Sequence, residues 1–457
     1  MSRSDKKILH VDKNGYYGGP DAALSLQEAE EWCTLLKDGA SGMILPAPTC
    51  RHSLIIKSGG HLPFSNASIA TPATEKDSSD IGGTTKLSFS RAYSLALSPQ
   101  LIYCLSVLIP TLVSAKVDLQ LEFLAFGNWW IYKDHNQDLD ETAAGQDYPR
   151  GALVRVPNGR EDVFADQNID MRSKRGLTRF LRFITDFEDQ PEVWQEHKLR
   201  PFTAFLTSQF GLPLSVQQSL LALTLSPSRP SEVTTSFALP RVAKHLRSIG
   251  LFGPGFGAVI PKWGGLADVA QIGCRAGAVG GGVYVLDNGI EKIFDINNAD
   301  RKTQLQNKSL DRATKVTLKK GEVVSTDWII GAQDNIPWTE TTLEAQPTEI
   351  TSVEIVSRSI SIVSSKLAPL FSSTAEGSAT SAGAMVVFPR PSTTVANSEQ
   401  ELPPIHIIAH SSATGECPEG QCKFAILIFA VMYLAVLLYR MMNHKRILYL
   451  HCLQLHC

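Results

Sequence analysis

Cysteine is sparse in this chain and wrongly spaced for metal or redox work. Eight cysteines are scattered through 457 residues without a CxxC pair, which excludes a zinc ribbon and a thioredoxin-like motif. An apolar secretory segment is missing too, because the N-terminus, MSRSDKKILH, is polar and charged. The main body is therefore expected in a reducing cytosol, where the glycosylation sequons at Asn66 and Asn307 would stay unused. Neither sign of charge dominates. The net charge is −2 with 19% of residues charged, and no basic tract interleaved with aromatics occurs, so no nucleic-acid surface is expected. There is no Walker lysine, no HExxH and no GxSxG nucleophile elbow. DHNQDLDETAAG (Asp134–Gly145) has the acids of a calcium loop but places Leu139 where the turn needs glycine and Gly145 where a bidentate glutamate is needed. It reads as an acidic surface loop. His406 and His410 would share a strand face without a clear third ligand, and no metal is expected there.

One more absence bears directly on function. KKILHVDKNGYYGGP (Lys6–Pro20) reads as a strand closed by Asp12, then a turn, two tyrosines and two glycines. In dinucleotide-binding α/β folds the second strand ends in such an acid, which meets a ribose hydroxyl. The phosphate-cradling glycine loop belongs about twenty residues earlier, and Met1 arrives first. Either the cofactor has been abandoned or the N-terminus is incomplete. GPGFG (Gly253–Gly257) follows no clear strand, and GAVGGG (Gly277–Gly282) leads into a strand where a phosphate loop should open a helix. No cofactor is expected, and a flavin-dependent oxidoreductase is an alternative.

What is present is enough apolar sequence, 43%, for a large core and two or three domains. Ser25–Lys37 is expected to be helical, and Leu121–Tyr132 to form strands meeting at the Gly-Asn turn. Leu177, Phe180, Leu181 and Ile184 fall at i, i+3, i+4 and i+7, an apolar helix stripe, with Arg172, Lys174, Arg175, Arg179 and Arg182 on the solvated side. Two more helices break near Gly211 and Pro213, and a last one carries Pro240 in its first turn and Gly250 as its cap. VYVL, Asp287-Asn288-Gly289 and IEKIFDI suggest a hairpin. GEVVSTDWIIGA suggests a strand pair, VEIVSRSISIV a strand with one solvated face, and IHIIAH another strand. The expected class is α/β: one discontinuous domain with an all-helical domain threaded into it. Its first part covers 1–166 with a mobile insertion at 61–85. The helical domain covers 167–250, and the remainder 251–421 with Ser/Thr/Pro-rich loops over 372–404. Residues 422–457 form an apolar tail with a candidate transmembrane helix at 424–439. That run has sixteen residues, just short of the roughly 17–25 of a span, so a membrane anchor, a non-native end of the gene product and a buried helix all stay open.

Three blocks carry a family resemblance: Lys6–Gly19, PKWGGLADVAQIGCRAGAVGGGVYVLDNGIEKI (Pro261–Ile293) and HSSATGECPEGQ (His410–Gln421). In this order they resemble the Rab GDP-dissociation inhibitor and Rab escort protein superfamily, and their wording, with the long Ser/Thr-rich insertions, is similar to the fungal escort proteins. The resemblance implies a GDI-like, FAD/NAD(P)-binding-like fold opening with a strand and a GxGxxG-like loop that this sequence does not show. It implies a non-catalytic accessory component, partnered by GDP-bound Rab GTPases, the Rab geranylgeranyl transferase α/β heterodimer and the geranylgeranyl lipid of Rab. Its setting would be cytoplasmic with reversible membrane association. By the same resemblance, Tyr17, Asp268, Gln271 and Arg275 match the Rab-binding platform, with Asp268 one methylene shorter than the family's glutamate. Gly18, Gly19, Gly281 and Gly282 serve backbone geometry. Phe202 and Phe205 sit where escort proteins carry an aromatic-rich helix that engages the transferase, with packing inside the helical domain as the competing role. The nearer alternative is a Rab GDP-dissociation inhibitor; an adaptor anchored through the tail is another.

Overall fold

Long apolar and β-branched runs in the second half of the chain pair into one large sheet. The computed structural model describes residues 6–40, 64–70, 87–133, 152–157, 169–294, 314–331, 335–336, 354–373, 377–389, 403–428 and 447–456. Its strands are β1 (Leu9–Val11), β2 (Ala23–Leu24), β3 (Phe64–Ala70), β4 (Leu95–Ala96), β5 (Ile102–Tyr103), β6 (Phe123–Lys133), β7 (Ala152–Arg155), β8 (Ala258–Pro261) and β9 (Val283–Val285). They continue as β10 (Ile290–Phe294), β11 (Thr314–Leu318), β12 (Val323–Thr326), β13 (Glu354–Val363), β14 (Gly383–Phe388), β15 (Ile405–Ser411), β16 (Cys422–Ile428) and β17 (Ile447–His456). The helices are α1 (Leu26–Ala40), α2 (Leu108–Ser114), α3 (Met171–Phe183), α4 (Pro191–Trp194), α5 (Phe202–Phe205), α6 (Leu214–Thr224), α7 (Thr235–Ser248) and α8 (Leu266–Val279).

The large sheet has ten strands in the order β3-β17-β13-β16-β15-β14-β6-β8-β5, with β7 also on β6. Only β14 and β6 run parallel within it. Several expectations change here. β6 passes straight through Gly127 and Asn128 instead of turning, because a side chain at 127 would come 2.4 Å from the Gly255 carbonyl oxygen and Asn128 is buried, donating from Nδ2 to the Ser372 carbonyl. From Val356 to Val363 β13 is buried on both faces, without the solvated side expected of it. Part of the 61–85 insertion is strand β3, and Gly383–Phe388 is a strand inside the 372–404 loops.

The candidate transmembrane helix is also corrected. Residues 422–428 are a central strand, hydrogen-bonded to β13 and to β15, so the apolar character of Phe424, Ala425 and Ile426 reflects burial in the sheet. Residues 447–456 of the expected tail pair with β13 and β3. Among the described residues no helix is long and apolar enough to cross a membrane. Residues 429–446, the acidic run 134–145 and Asn307 lie outside the described residues.

Helices occupy the chain from Met171 to Ser248. Asp170 caps α3, accepting from the Arg172 and Ser173 amides at 3.0 and 3.3 Å. Leu177, Phe180 and Ile184 form its buried face; Lys174, expected on the solvated side, is buried too. α7 begins at Thr235, so Pro240 lies inside the helix and not in its first turn.

The main core joins these helices to the sheet. Phe126, Trp129 and Ile131 of β6 meet Phe180, Phe183, Phe202, Phe205 and Phe210. Most of the ring pairs pack edge-on or tilted, Phe180 to Phe210 at 5.3 Å and Phe205 to Phe210 at 5.6 Å between centroids, while Phe202 and Phe205 stack at 6.3 Å, geometries aromatic quadrupoles favour. His245 is sealed among Tyr103 and Trp129, and burial pulls its pKa down to about 4. Phe202 and Phe205 are both 0% exposed. Of the two roles open to them, both take the packing role inside the helical part, and neither presents surface to a partner. Phe205→Ala is expected to cost about 3–5 kcal/mol, read as a lowered urea midpoint of the full chain; an unchanged midpoint would remove Phe205 from the core.

Candidate protein-docking platform

The platform starts at the end of β1. Strand β1 pairs in parallel with β9, Leu9 with Val283 through Val11 with Val285. The ladder runs on, since Asp12 donates its amide to Val285 (3.0 Å) and accepts at its carbonyl from Asn288 (2.9 Å). This pairing replaces the expected hairpin: β9 turns to β1, and β10 pairs with β11. The Asp12 carboxylate closes its own turn, accepting from the Asn14 amide (2.8 Å) and Nδ2 (3.1 Å), as Asx turns do. It is committed to the fold at the position where a ribose contact would stand.

The two tyrosines that follow diverge. Tyr16 packs inward near Trp32, and burial pushes its hydroxyl pKa up despite a hydrogen bond from Trp32. Tyr17 turns outward onto α8, where its hydroxyl meets the Cys274 thiol; that hydrogen bond, with partial burial, pushes it up to about 12. Gly18 and Gly19, at φ 95° and 50°, then bend the chain away.

Helix α8 carries the other named residues. Asp268, Gln271 and Arg275 fall at i, i+3 and i+7 and so share one stripe. Asp268 is half-buried. Burial raises its pKa, the Gly264 amide opposes that, and the charge of Glu416 adds to it. Gln271 and Arg275 are exposed, and among the described residues Arg275 is held in no salt bridge. The structure thus gathers Tyr17, Asp268, Gln271 and Arg275 on one face, through Cys274, and leaves Phe202 and Phe205 in the core.

The third block supports the start of α8. Trp263 sits at φ 77° between the Lys262 carbonyl and the Gly264 amide, which hydrogen-bond at 3.1 Å. That is the strained, positive-φ form of the γ-turn, which costs of order 1–3 kcal/mol for a non-glycine residue. Contacts on either side hold it: the Trp263 amide donates to Thr414 (2.8 Å) and the Lys262 amide to Glu122 (2.9 Å). Gly415 lies under the indole, where a Cβ would come 2.4 Å from the ring.

Beside Gly415, Glu416 is buried with Lys423 and His410. Lys423 Nζ lies 2.7 Å from one carboxylate oxygen and His410 Nδ1 against the other. Both meet Glu416 at ion-pair range without the alignment of hydrogen bonds. Burial alone would raise the Glu416 pKa, but His410 and Lys423 outweigh it and hold it at about 2. Burial lowers His406 to about 4 and also pushes His410 down, there against the opposing charge of Glu416. Among the described residues no group of three or more His, Cys, Asp or Glu is disposed to hold a metal.

Sequence reasoning missed Trp263, Cys274 and the buried ion pair. The signal for the first two was available, since both lie inside the second block; nothing in the sequence pairs Glu416 with Lys423. Away from the platform, a cavity of about 180 Å³ opens between the helices and the sheet, lined by Leu214, Leu221, Val233, Val387 and His406 among others.

The crystal structure of a Rab GDI from Plasmodium falciparum superposes with TM-score 0.57 at 15% identity, covering 99% of this chain and 85% of that one. The fold is therefore the GDI-like form of the FAD/NAD(P)-binding-like α/β class. The chain belongs to the GDP dissociation inhibitor family, whose sequence model matches residues 75–320. It is similar to the Rab proteins geranylgeranyltransferase component A of Saccharomyces cerevisiae, 27% identical over 66% of this chain and 42% of that protein. The Candida albicans protein of the same name is 25% identical over 65% and 40%. Rab escort protein 1 of Arabidopsis thaliana is 23% identical over 62% and 50%. The matches thus span half or less of these relatives' lengths.

An unfolded glutamate titrates near 4.3, whereas folded Glu416 titrates at about 2. Between these values the unfolded chain binds the extra proton, so stability present above about pH 4.3 is lost as the pH falls towards 2. Glu416→Gln should remove that part of the acid slope in a series of thermal midpoints. It should also cost about 3–5 kcal/mol at pH 7 by leaving Lys423 buried without its counter-charge. An acid slope identical to wild type would show that Glu416 is not the titrating group.

Proposed function

We propose that this chain acts as a Rab escort protein. It binds GDP-loaded Rab GTPases on the α8 face and presents them to the geranylgeranyl transferase α/β heterodimer. It then carries the prenylated product to membranes without making a covalent bond itself. The observation that carries this reading is the convergence of Tyr17, Asp268, Gln271 and Arg275, from stretches far apart in sequence, on one open face. Exposed Arg and Tyr beside a half-buried carboxylate suit recognition of a folded, polar partner surface, since such residues dominate the energetics of protein interfaces. The names of the fungal and plant relatives, component A and escort protein, favour the escort role. Phe202 and Phe205 have no part in the proposal, being sealed in the core.

A shielded prenyl group needs apolar space, because each buried CH₂ contributes about 0.8 kcal/mol. The cavity between helices and sheet is the candidate seat for it. Membrane association would then be reversible and follow the cargo.

The family name itself keeps the dissociation inhibitor in view as the second reading. The two separate in a prenylation assay, because an escort protein supports transfer to unprenylated Rab and a dissociation inhibitor only extracts prenylated Rab.

Tyr17→Ala combined with Arg275→Glu should weaken capture of GDP-loaded Rab by at least about 30-fold, the loss of a hot spot of about 2 kcal/mol. The thermal midpoint should hold. Calorimetric titration reads the affinity; full affinity in the double variant would sink the assignment of this face.

A further inference from the structure

We propose that Trp263 is a second aromatic anchor of the platform, inserting into an apolar recess on the same folded protein partner that Arg275 meets. The proposal rests on the reading of α8 as the docking face and adds a contact at its N-terminal end. Five non-glycine residues among those described have positive φ, and Trp263 is the one aromatic among them. A tryptophan is costly in such a turn, so the backbone is bent to aim this ring. The inner face of the indole rests on Gly415, which has no side chain to displace it, while 57% of the residue stays exposed. Lys262 lies 5.0 Å from the ring centroid, and its ammonium is fixed by both oxygens of Glu122 at 2.9 Å. The ring is therefore pre-organised, which lowers the entropy cost of using it in an interface.

Position makes the ring part of the same surface. Gly264, the next residue, contributes the amide that faces the Asp268 carboxylate. The stripe is thus framed by Trp263 before its first turn and by Tyr17 at Cys274. Trp, Tyr and Arg are the residues that most often carry interface energy. A protein partner fits better than a lipid surface, because the Glu122–Lys262 pair leaves no net positive charge beside the ring and the Asp268 carboxylate next to Gly264 would face anionic headgroups unfavourably. Lys262 is already neutralised by Glu122, so the exposed Arg275 is the cation that calls for an acidic group on the partner beside its apolar recess.

The test uses the full chain with GDP-loaded Rab. Trp263→Ala is expected to weaken binding by at least about 30-fold, whereas Trp263→Phe should retain most of it. Oxidative footprinting of the wild-type chain guards against a folding defect, since Trp263 should be protected in the complex whatever the variants do. Protection together with the affinity loss supports the anchor. Unprotected Trp263 in a saturated complex overturns it, as does protection by phosphatidylcholine–phosphatidylserine vesicles but not by Rab. The Tyr17→Ala, Arg275→Glu double variant separates this idea from the one beneath it. If that variant loses Rab while Trp263→Ala does not, the anchor alone fails; if neither loses Rab, the docking face itself is misassigned.

Discussion

The parallel pairing of β1 with β9 is the constraint on which the rest depends. Only three residues of each strand are matched, yet the ladder brings the N-terminal turn against the end of α8. Without it Tyr17 has no route to Cys274, and the polar stripe on α8 loses one of its two aromatic flanks. Glycines accommodate the approach, and the Asp12 turn fixes its direction. In this GDI-like fold β1 thus serves to position a surface.

A second tie holds the other end. The γ-turn at Trp263 persists because Thr414 and Glu122 grip the backbone on either side of it. The Thr414 segment is fixed in turn by the buried Glu416–Lys423 pair and by the bond between the Ser94 amide and the Glu416 carbonyl (3.0 Å). A buried pair of this kind is weak evidence for net stability, since desolvation offsets most of the attraction. What it does is penalise any arrangement in which the third block moves away and leaves one charge unpaired. The same charge also reaches Asp268 and helps to raise its pKa. Core and surface are thus coupled through Glu416.

Much of this was legible in the residues. The apolar stripe of α3 is its buried face, and the three sequence blocks that suggested a family are in contact with one another. Elements were misread where burial on both faces mimicked something else. The run 424–439 looked membrane-like because its start, Phe424, Ala425 and Ile426, lies in a strand buried on both faces, and such a strand shows no alternation. Gly127-Asn128 looked like a turn because the close approach of Gly255 is invisible in sequence. The hairpin expected at 287–289 failed because its first strand found a longer-range partner. Pairing across some 270 residues, and the meeting of Glu416 with Lys423, are tertiary facts that no local pattern encodes.

The central claim is that a partner docks on the α8 face. Site-specific photo-crosslinking tests it most directly, with the crosslinker placed at Gln271 and, as a control, at Leu199, which is 81% exposed on the helical part. The account predicts a crosslink to GDP-loaded Rab from position 271 and none from 199. A crosslink from 199 alone, or from neither position in a saturated complex, would contradict it.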